Sequence, residues 1–355
     1  MDTRTPPAAA FVTPVLIAGC VILIVNFSIR SSFGVFQIPI ADEFGWLRAE
    51  FSMAIAIQNL AWGIGAPIFG AIAERFGDRR AIVFGALLYA IGLALSAVAT
   101  TPGQHHILEV FVGFGIAGTG FGLILAIVGR AASDQHRSMA LAIASAAGSV
   151  GQILGPPLAQ ALLAFVAWQT IFLIFAASIL AMLVMLPLLK SPEGPARAEP
   201  EETLRAVLTR AFRDPSFTLI FIGFFSCGYQ LGFITAHFPA FVTEMCGPIA
   251  PGGLLDNMGV STTSALGAVA ISVIGLANIG GTLLAGWAGN HFPKKYLLAT
   301  IYTGRTLVSA AFILLPITPL TVIAFSVAMG ALWLATGAIT RDDVVADFYD
   351  LATFT

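Results

Sequence analysis

Charge is what this sequence has least of. Only 10% of its 355 residues are Asp, Glu, Lys or Arg, against about 25% in a soluble domain. So few charges cannot cover a water-facing globule, so most of the surface is expected to face lipid. The net charge of −2 excludes the basic footprint that nucleic-acid binding requires. Cysteine is also scarce. Cys20 and Cys227 lie inside apolar runs and Cys246 stands alone, so neither a disulfide framework nor a metal-ligand spacing is present. No HExxH, no Ser/His/Asp set in apolar context and no phosphate-binding loop after a strand occurs. An enzyme is therefore not expected and no cofactor is implied. The apolar run from Phe11 is too long for a cleaved signal and lacks a small-residue cleavage site.

What the sequence has instead is apolar length. Hydrophobic residues make up 57% of it and the mean hydropathy is +0.90. A spanning helix needs about 20 mostly apolar residues. Ten runs qualify: Phe11–Phe36, Phe51–Ala73, Ala81–Thr100, Ile107–Val128, Ser138–Leu162, Val166–Leu189, Ser216–Val242, Ser264–Gly289, Tyr296–Leu315 and Pro319–Ile339. The 36 glycines and 19 prolines suit helices that pack closely and bend.

Basic residues give the orientation. With the N-terminus in the cytoplasm, Arg48 is the one basic residue outside, Arg30 and Arg305 fall within spans, and the rest of the 17 Lys and Arg lie inside. The expected setting is a multi-pass protein of the cell (inner) membrane. The longest polar stretch, rich in Pro, Glu and Ala, lies between spans six and seven. It cannot bury enough apolar area to fold alone. The organisation expected is an N-terminal six-helix half at 1–189, a cytoplasmic linker at 190–214, a C-terminal half with four spans at 215–340 and an acidic tail at 341–355. Within the linker, Glu201 to Phe212 has the composition of a surface helix.

Arg30 is the strongest candidate for function. It lies within span one, about 18 Å short of Asp42 at a 1.5 Å rise per residue. A charge at the bilayer centre costs roughly 2.5–3.5 kcal/mol on insertion scales, so Arg30 should face a water-filled cavity or a partner. Asn26, Arg30 and Gln37 share one face of that span. Arg305 is a second intramembrane arginine, near mid-depth of span nine, where helix-to-helix pairing is at least as good a reading. Ser226, Gln230 and His237 share a face of span seven, and His237 could bind substrate or a proton. Gln58, Asn59 and Trp62 in span two are weaker cavity candidates, and Asn278 and Thr282 in span eight weaker still. The acids Glu50, Glu109 and Glu244 all read as span ends. The two arginines are thus left without a carboxylate, and a small anion is their natural counter-charge.

The loop between spans two and three carries Gly70, Glu74, Arg75, Gly77, Arg79 and Arg80 in GAIAERFGDRR. It resembles the signature loop of the major facilitator superfamily, which usually has Asp where Glu74 stands. Gly286, His291, Phe292, Lys294 and Lys295 after span eight echo it, with one residue deleted before the basic pair. The resemblance implies an all-α integral membrane bundle of two six-helix pseudo-repeats, here reduced to about ten spans, and a gating role for the Gly70–Arg80 loop. A chain of this type needs two more helices, and truncation is the simplest explanation of their lack. Span five holds Gly148, Gly151, Gly155 and Pro156, partly similar to the superfamily's antiporter motif. Without that motif's closing glycine pair, since Ala159 and Gln160 stand there, it reads as a packing and hinge element.

A narrower resemblance covers nearly the whole chain to about Trp333. SIRSSFGVFQIPIADEFGW, IAIQNLAWGIGAPIFGAIAERFGDRR, AAGSVGQILGPPLAQAL and ITAHFPAFV are similar to bacterial members of the monocarboxylate and oxalate–formate transporter branch. That branch implies a small organic anion as partner, coupled to a proton or a counter-anion, with membrane lipid as the surroundings and a monomer as the expected state. Its animal members carry an Asp and an Arg one turn apart in span eight, where this chain has Asn278 and Thr282, so that coupling scheme does not carry over. The expected activity is secondary transport of small organic anions by alternating access. The expected substrate-binding set is Arg30, Gln37, Asn59, Gln230, His237 and Arg305. Two alternatives stand beside it: an efflux pump for neutral or amphipathic compounds, which the 28 Phe would suit, and a truncated membrane protein that does not transport.

Overall fold

Apolar helices are the architecture lipid permits a chain of this composition, because each helix satisfies its own backbone polar groups. A computed structural model describes residues 12–133, 136–189, 209–210, 212–289 and 291–333. Its helices, in order, are α1 (Pro14–Ser32), α2 (Gln37–Phe44), α3 (Arg48–Phe76), α4 (Asp78–Ser96), α5 (Pro102–Thr119), α6 (Phe121–Ala131), α7 (Arg137–Leu163), α8 (Trp168–Ala181), α9 (Pro215–Met245), α10 (Leu254–Asn257), α11 (Thr263–Gly289), α12 (Lys294–Leu314) and α13 (Pro319–Ala331). No strand occurs among the described residues.

Local chemistry sets many of the boundaries. Thr13 caps α1 by accepting from the Leu16 amide at 3.1 Å, with Pro14 in the first turn. Thr101 with Gln104, and Thr318 with Thr321, form reciprocal caps on α5 and α13. Gly77 ends α3 at φ +92°, a conformation that favours glycine, while its N–H reaches the Ala73 carbonyl at 2.9 Å. That single residue turns the chain straight into α4.

Nine helical stretches among the described residues are long and apolar enough to cross a membrane. The first runs on from α1 through a 3-10 turn at Phe33–Phe36 into α2, so it continues to Phe44, beyond the expected end at Phe36. Span four is broken at Gly120 into α5 and α6. The expected tenth span is represented by α13, which is shorter than a full span; positions 334–339 of that span lie outside the described residues. So do 190–208, most of the linker and of its expected surface helix, and the tail at 341–355.

Two large apolar cores are buried, beside a small cluster at Ala285 and Ile301. One joins α1 with α3–α8 around Ile22, Phe36, Tyr89, Ile116, Ile124 and Phe172. The other joins α9 with α11–α13 around Val242, Leu266, Ile271, Ile274, Val322 and Met329. The α1–α7 seam shows what span five's glycines do. A β-carbon added at Gly155 would lie 2.0 Å from the Ser28 carbonyl oxygen, and one at Gly151 would lie 2.5 Å from that of Ile24. Ser28 in turn donates to the Gly151 carbonyl at 3.1 Å. Backbone-to-backbone approach of this kind replaces the hydrophobic drive that lipid cannot supply. Gly155→Val is therefore expected to destabilise the fold by about 1–3 kcal/mol and to lower the melting temperature and monodispersity of the purified protein. Gly122→Ala, where a β-carbon meets open space, should change neither.

Candidate functional site

The two groups of helices meet at the end of the molecule opposite the Gly70–Arg80 loop. Across this seam Arg48 of α3 forms an ion pair with Glu244 of α9. Gln37 of α2 lies 3.3 Å from His237 Nδ1 of α9. Between α7 and α11, Gln160 reaches Ser264 at 3.3 Å, Ser272 donates to the Ile153 carbonyl at 2.6 Å, and Asn278 donates to Ser149 at 2.9 Å. All but the last of these contacts fall in the half of each helix away from the loop, and Asn278–Ser149 lies near the middle of both helices. Helix α9 shows the same division, since Leu219, Phe225, Tyr229 and Phe233 are exposed whereas Ile234, Phe238 and Val242 are buried. The seam is closed at one end and parts toward the other.

Arg30 sits where it parts. The guanidinium lies over the Trp62 ring at 4.5 Å and 5.9 Å from that of Phe27. Its Nη2 donates to Asn59 Oδ1 at 3.3 Å, and its buried Nε has no hydrogen-bond partner. No carboxylate of the described residues pairs with it. Asn59 is fixed by its own donation to the Ile55 carbonyl at 2.9 Å, and it stands opposite Gly232 of α9. Arg30 and Gln37 are two helical turns apart, about 10 Å, on one continuous stretch. Arg30, Asn59, Gln37 and His237 thus line one interface, with Trp62 below the charge and the Phe233 ring tilted against that of His237 at 4.9 Å.

The other expected residues lie elsewhere. Gln230 turns toward α12, donating to Ser309 at 3.3 Å. Arg305 is 2% exposed and its donors are occupied: Nε by the Leu332 carbonyl at 2.9 Å, Nη1 by Cys227 Sγ at 3.0 Å and Nη2 by the Trp333 carbonyl. It closes the C-terminal end of α13, the helix-to-helix role noted above. Asn278 and Thr282 are tied to each other and to Ser149, so they join α11 to α7.

The acids need one correction. Glu109 is not at a span end: it lies two turns into α5, 3% exposed, and accepts from Gln58 Nε2 at 2.6 Å. It is two turns inside because α5 begins at Pro102, five residues before the hydropathy run does. Tyr89 of α4, also buried, was absent from the sequence-based candidates. Its phenol within the apolar run from Ala81 to Leu95 was the available signal.

At the other end the loop is anchored by Asp78, outside its signature pattern, and by Arg79, within it. Both carboxylate oxygens of Asp78 accept from Arg130 Nη2 at 2.7 Å. Arg79 donates to the carbonyls of Leu189 at 3.1 Å and Pro187 at 3.2 Å, holding the end of span six. Gly77 shapes the turn whereas Gly70 lies within α3, Arg75 lies over Phe76 at 5.5 Å, and Glu74, Arg75 and Arg80 are exposed. A crevice of about 400 Å³ opens between Gly34, Glu43, Gln160, Trp168 and Thr243. It is at the closed end and does not include Arg30.

Comparison with known proteins agrees with this arrangement. Residues 19–351 match the Major Facilitator Superfamily. Among curated proteins the chain is similar to the uncharacterized MFS-type transporter YcxA of Bacillus subtilis, 26% identical over 82% of this chain and 68% of that one. It is also similar to monocarboxylate transporter 13 of Bos taurus, at 25% over 78% and 62%, and to the sialic acid transporter NanX of Escherichia coli, at 25% over 72% and 60%. The chain therefore spans about three fifths to two thirds of these relatives' lengths. Of solved structures, the nucleoside transporter NupG superposes with a TM-score of 0.72 at 15% identity, over 95% of this chain and 85% of that one. The partially occluded inward-open xylose transporter XylE of E. coli does so at 0.66 and 16%, over 96% and 91%. With its helical bundle and a match spanning nearly its whole length, the chain belongs to the Major Facilitator Superfamily.

Proposed function

We propose that the chain moves small organic anions of the monocarboxylate kind across a membrane by alternating access, with Arg30 as the group that receives the carboxylate. The observation that carries this is the state of Arg30: mid-span, beside an aromatic face, with a buried Nε unused and no acid to balance it. A desolvated guanidinium presents a planar fork that matches a carboxylate. Asn59 orients that fork and faces the opposite group of helices, so a bound anion would touch both. Gln37 and His237 would close over it from the sealed end. Monocarboxylate transporter 13 among the relatives favours this substrate class.

The distribution of Lys and Arg favours a cytoplasmic Gly70–Arg80 loop in a cell-membrane protein, and with that orientation the conformation described is inward-facing. A second reading, export of neutral or amphipathic compounds, is favoured by the rings of Tyr229 and Phe233 on the open wall. Competition by simple carboxylates in proteoliposomes separates the two, since they block only an anion site.

Arg30→Gln is expected to abolish uptake of radiolabelled carboxylates while membrane insertion and elution volume stay normal; unchanged kinetics would remove Arg30 from the mechanism. The Arg48–Glu244 pair is half-exposed, with side-chain exposures of 47% and 34%, and a pair of this kind is worth about 0.2–1 kcal/mol. Arg48→Glu should therefore weaken the seal a few-fold, and adding Glu244→Arg should restore it. Labelling of Ala240→Cys, in a background whose own cysteines are replaced by serine, by a membrane-impermeant thiol reagent reads this directly.

A further inference from the structure

Glu109 is the one buried carboxylate among the described residues, and nothing said so far uses it. Leaving it ionised there is costly unless a cation balances it. No Lys or Arg pairs with it; its hydrogen bond comes from the neutral amide of Gln58. Around it, α3 contributes Gln58 and, nearer the helix end, Glu50. Helix α4 contributes Tyr89, whose fully buried hydroxyl has no hydrogen-bond partner and stands within electrostatic reach of both Glu109 and Arg30. Helix α5 itself contributes His105 one turn away, 5% exposed with an unpartnered Nε2. It also contributes His106, which is 3.5 Å from Glu50. The 3-10 turn, α2 and α8 bring Phe33, Ile40 and Phe172 to the site, and Trp46 and Trp168 set their rings against His105, Trp168 donating its indole N–H to Glu43 of α2.

A small cavity joins these groups. Its walls include Glu50, His105 and Glu109, and its volume of about 10 Å³ is at the limit for a single water. Its walls also include Pro102, the first residue of α5, about 10 Å of helix from Glu109 and toward the end opposite the Gly70–Arg80 loop. The chain therefore holds a graded series of titratable groups, from half-exposed Glu50 through His105 to Glu109. On its far side, Gln58 is followed in sequence by Asn59, which holds Arg30.

We propose that Glu109 is a proton-binding site, loaded from the end opposite the Gly70–Arg80 loop by way of Glu50 and His105, and coupled through Tyr89 to the charge at Arg30. A proton drawn from water at that end adds to the Glu109 carboxylate, and no other bond changes. This deepens the transport reading by naming the proton as co-substrate, but it needs no particular solute.

The test is infrared difference spectroscopy of the purified full chain in lipid, stepping pH and exchanging H2O for D2O with no solute present. The wild type should show a protonated-carboxyl band that shifts in D2O and disappears at high pH. Glu109→Gln should lose it, and Glu109→Asp should keep it at an altered frequency. Arg30→Gln deletes a positive charge and should move the pH of disappearance upward, while His105→Phe should slow the D2O shift severalfold. A spectrum unchanged by Glu109→Gln, a band insensitive to both pH and D2O, or a midpoint unmoved by Arg30→Gln would overturn the proposal. Failure of carboxylate uptake alone would count against the substrate assignment and leave this result standing.

Discussion

An unbalanced positive charge inside a nonpolar bundle is the constraint around which this structure is arranged. Lipid allows helices to form readily, since they satisfy their own backbone, but it charges heavily for a guanidinium at mid-depth. Arg30 is tolerated because Trp62 and Phe27 offer their negative ring faces, Asn59 offers an oxygen, and the parting seam leaves one side open. None of these neighbours carries a negative charge. The site is stable enough to persist and incomplete enough to attract a counter-ion.

Alternating access needs two groups of helices that are each rigid and only lightly joined. The two buried cores supply the rigidity. The joint carries one half-exposed ion pair, one Gln–His contact and a short ladder of hydrogen bonds between α7 and α11, together with close glycine packing at Gly34 and Gly275. Its polar contacts can be exchanged for water without exposing a core. Tight backbone seams lie within a group, as at Gly151 and Gly155 against α1, and one crosses the joint where Gly34 meets Thr235 and Ala236 of α9.

Much of this was legible in the sequence because membrane helices leave a coarse signal. Apolar length located the spans, and the spacing of Gly70, Gly77, Arg79 and Arg80 marked the turn between α3 and α4. Face arithmetic grouped Arg30 with Gln37, and in the structure Arg30 meets Asn59 and Gln37 meets His237 on either side of the 3-10 turn. It failed for Gln230, because a shared face does not say which neighbour that face meets, and α12 took it. Hydropathy also missed the depth of Glu109: the polar first turn of α5, with Gln104, His105 and His106, dilutes the signal although Thr101 caps a regular helix there. Arg305 illustrates a different limit. Its partners are backbone carbonyls at Leu332 and Trp333, which leave no trace in side-chain pattern.

The central claim is that a carboxylate completes the charge at Arg30 and crosses the membrane with it. Counterflow in proteoliposomes containing the purified chain, loaded with one unlabelled monocarboxylate and presented with a radiolabelled panel of acids and neutral analogues, tests it most directly. The account predicts transient accumulation of labelled acids and none of their amides. Equal accumulation of acid and amide, or of neither, would contradict it.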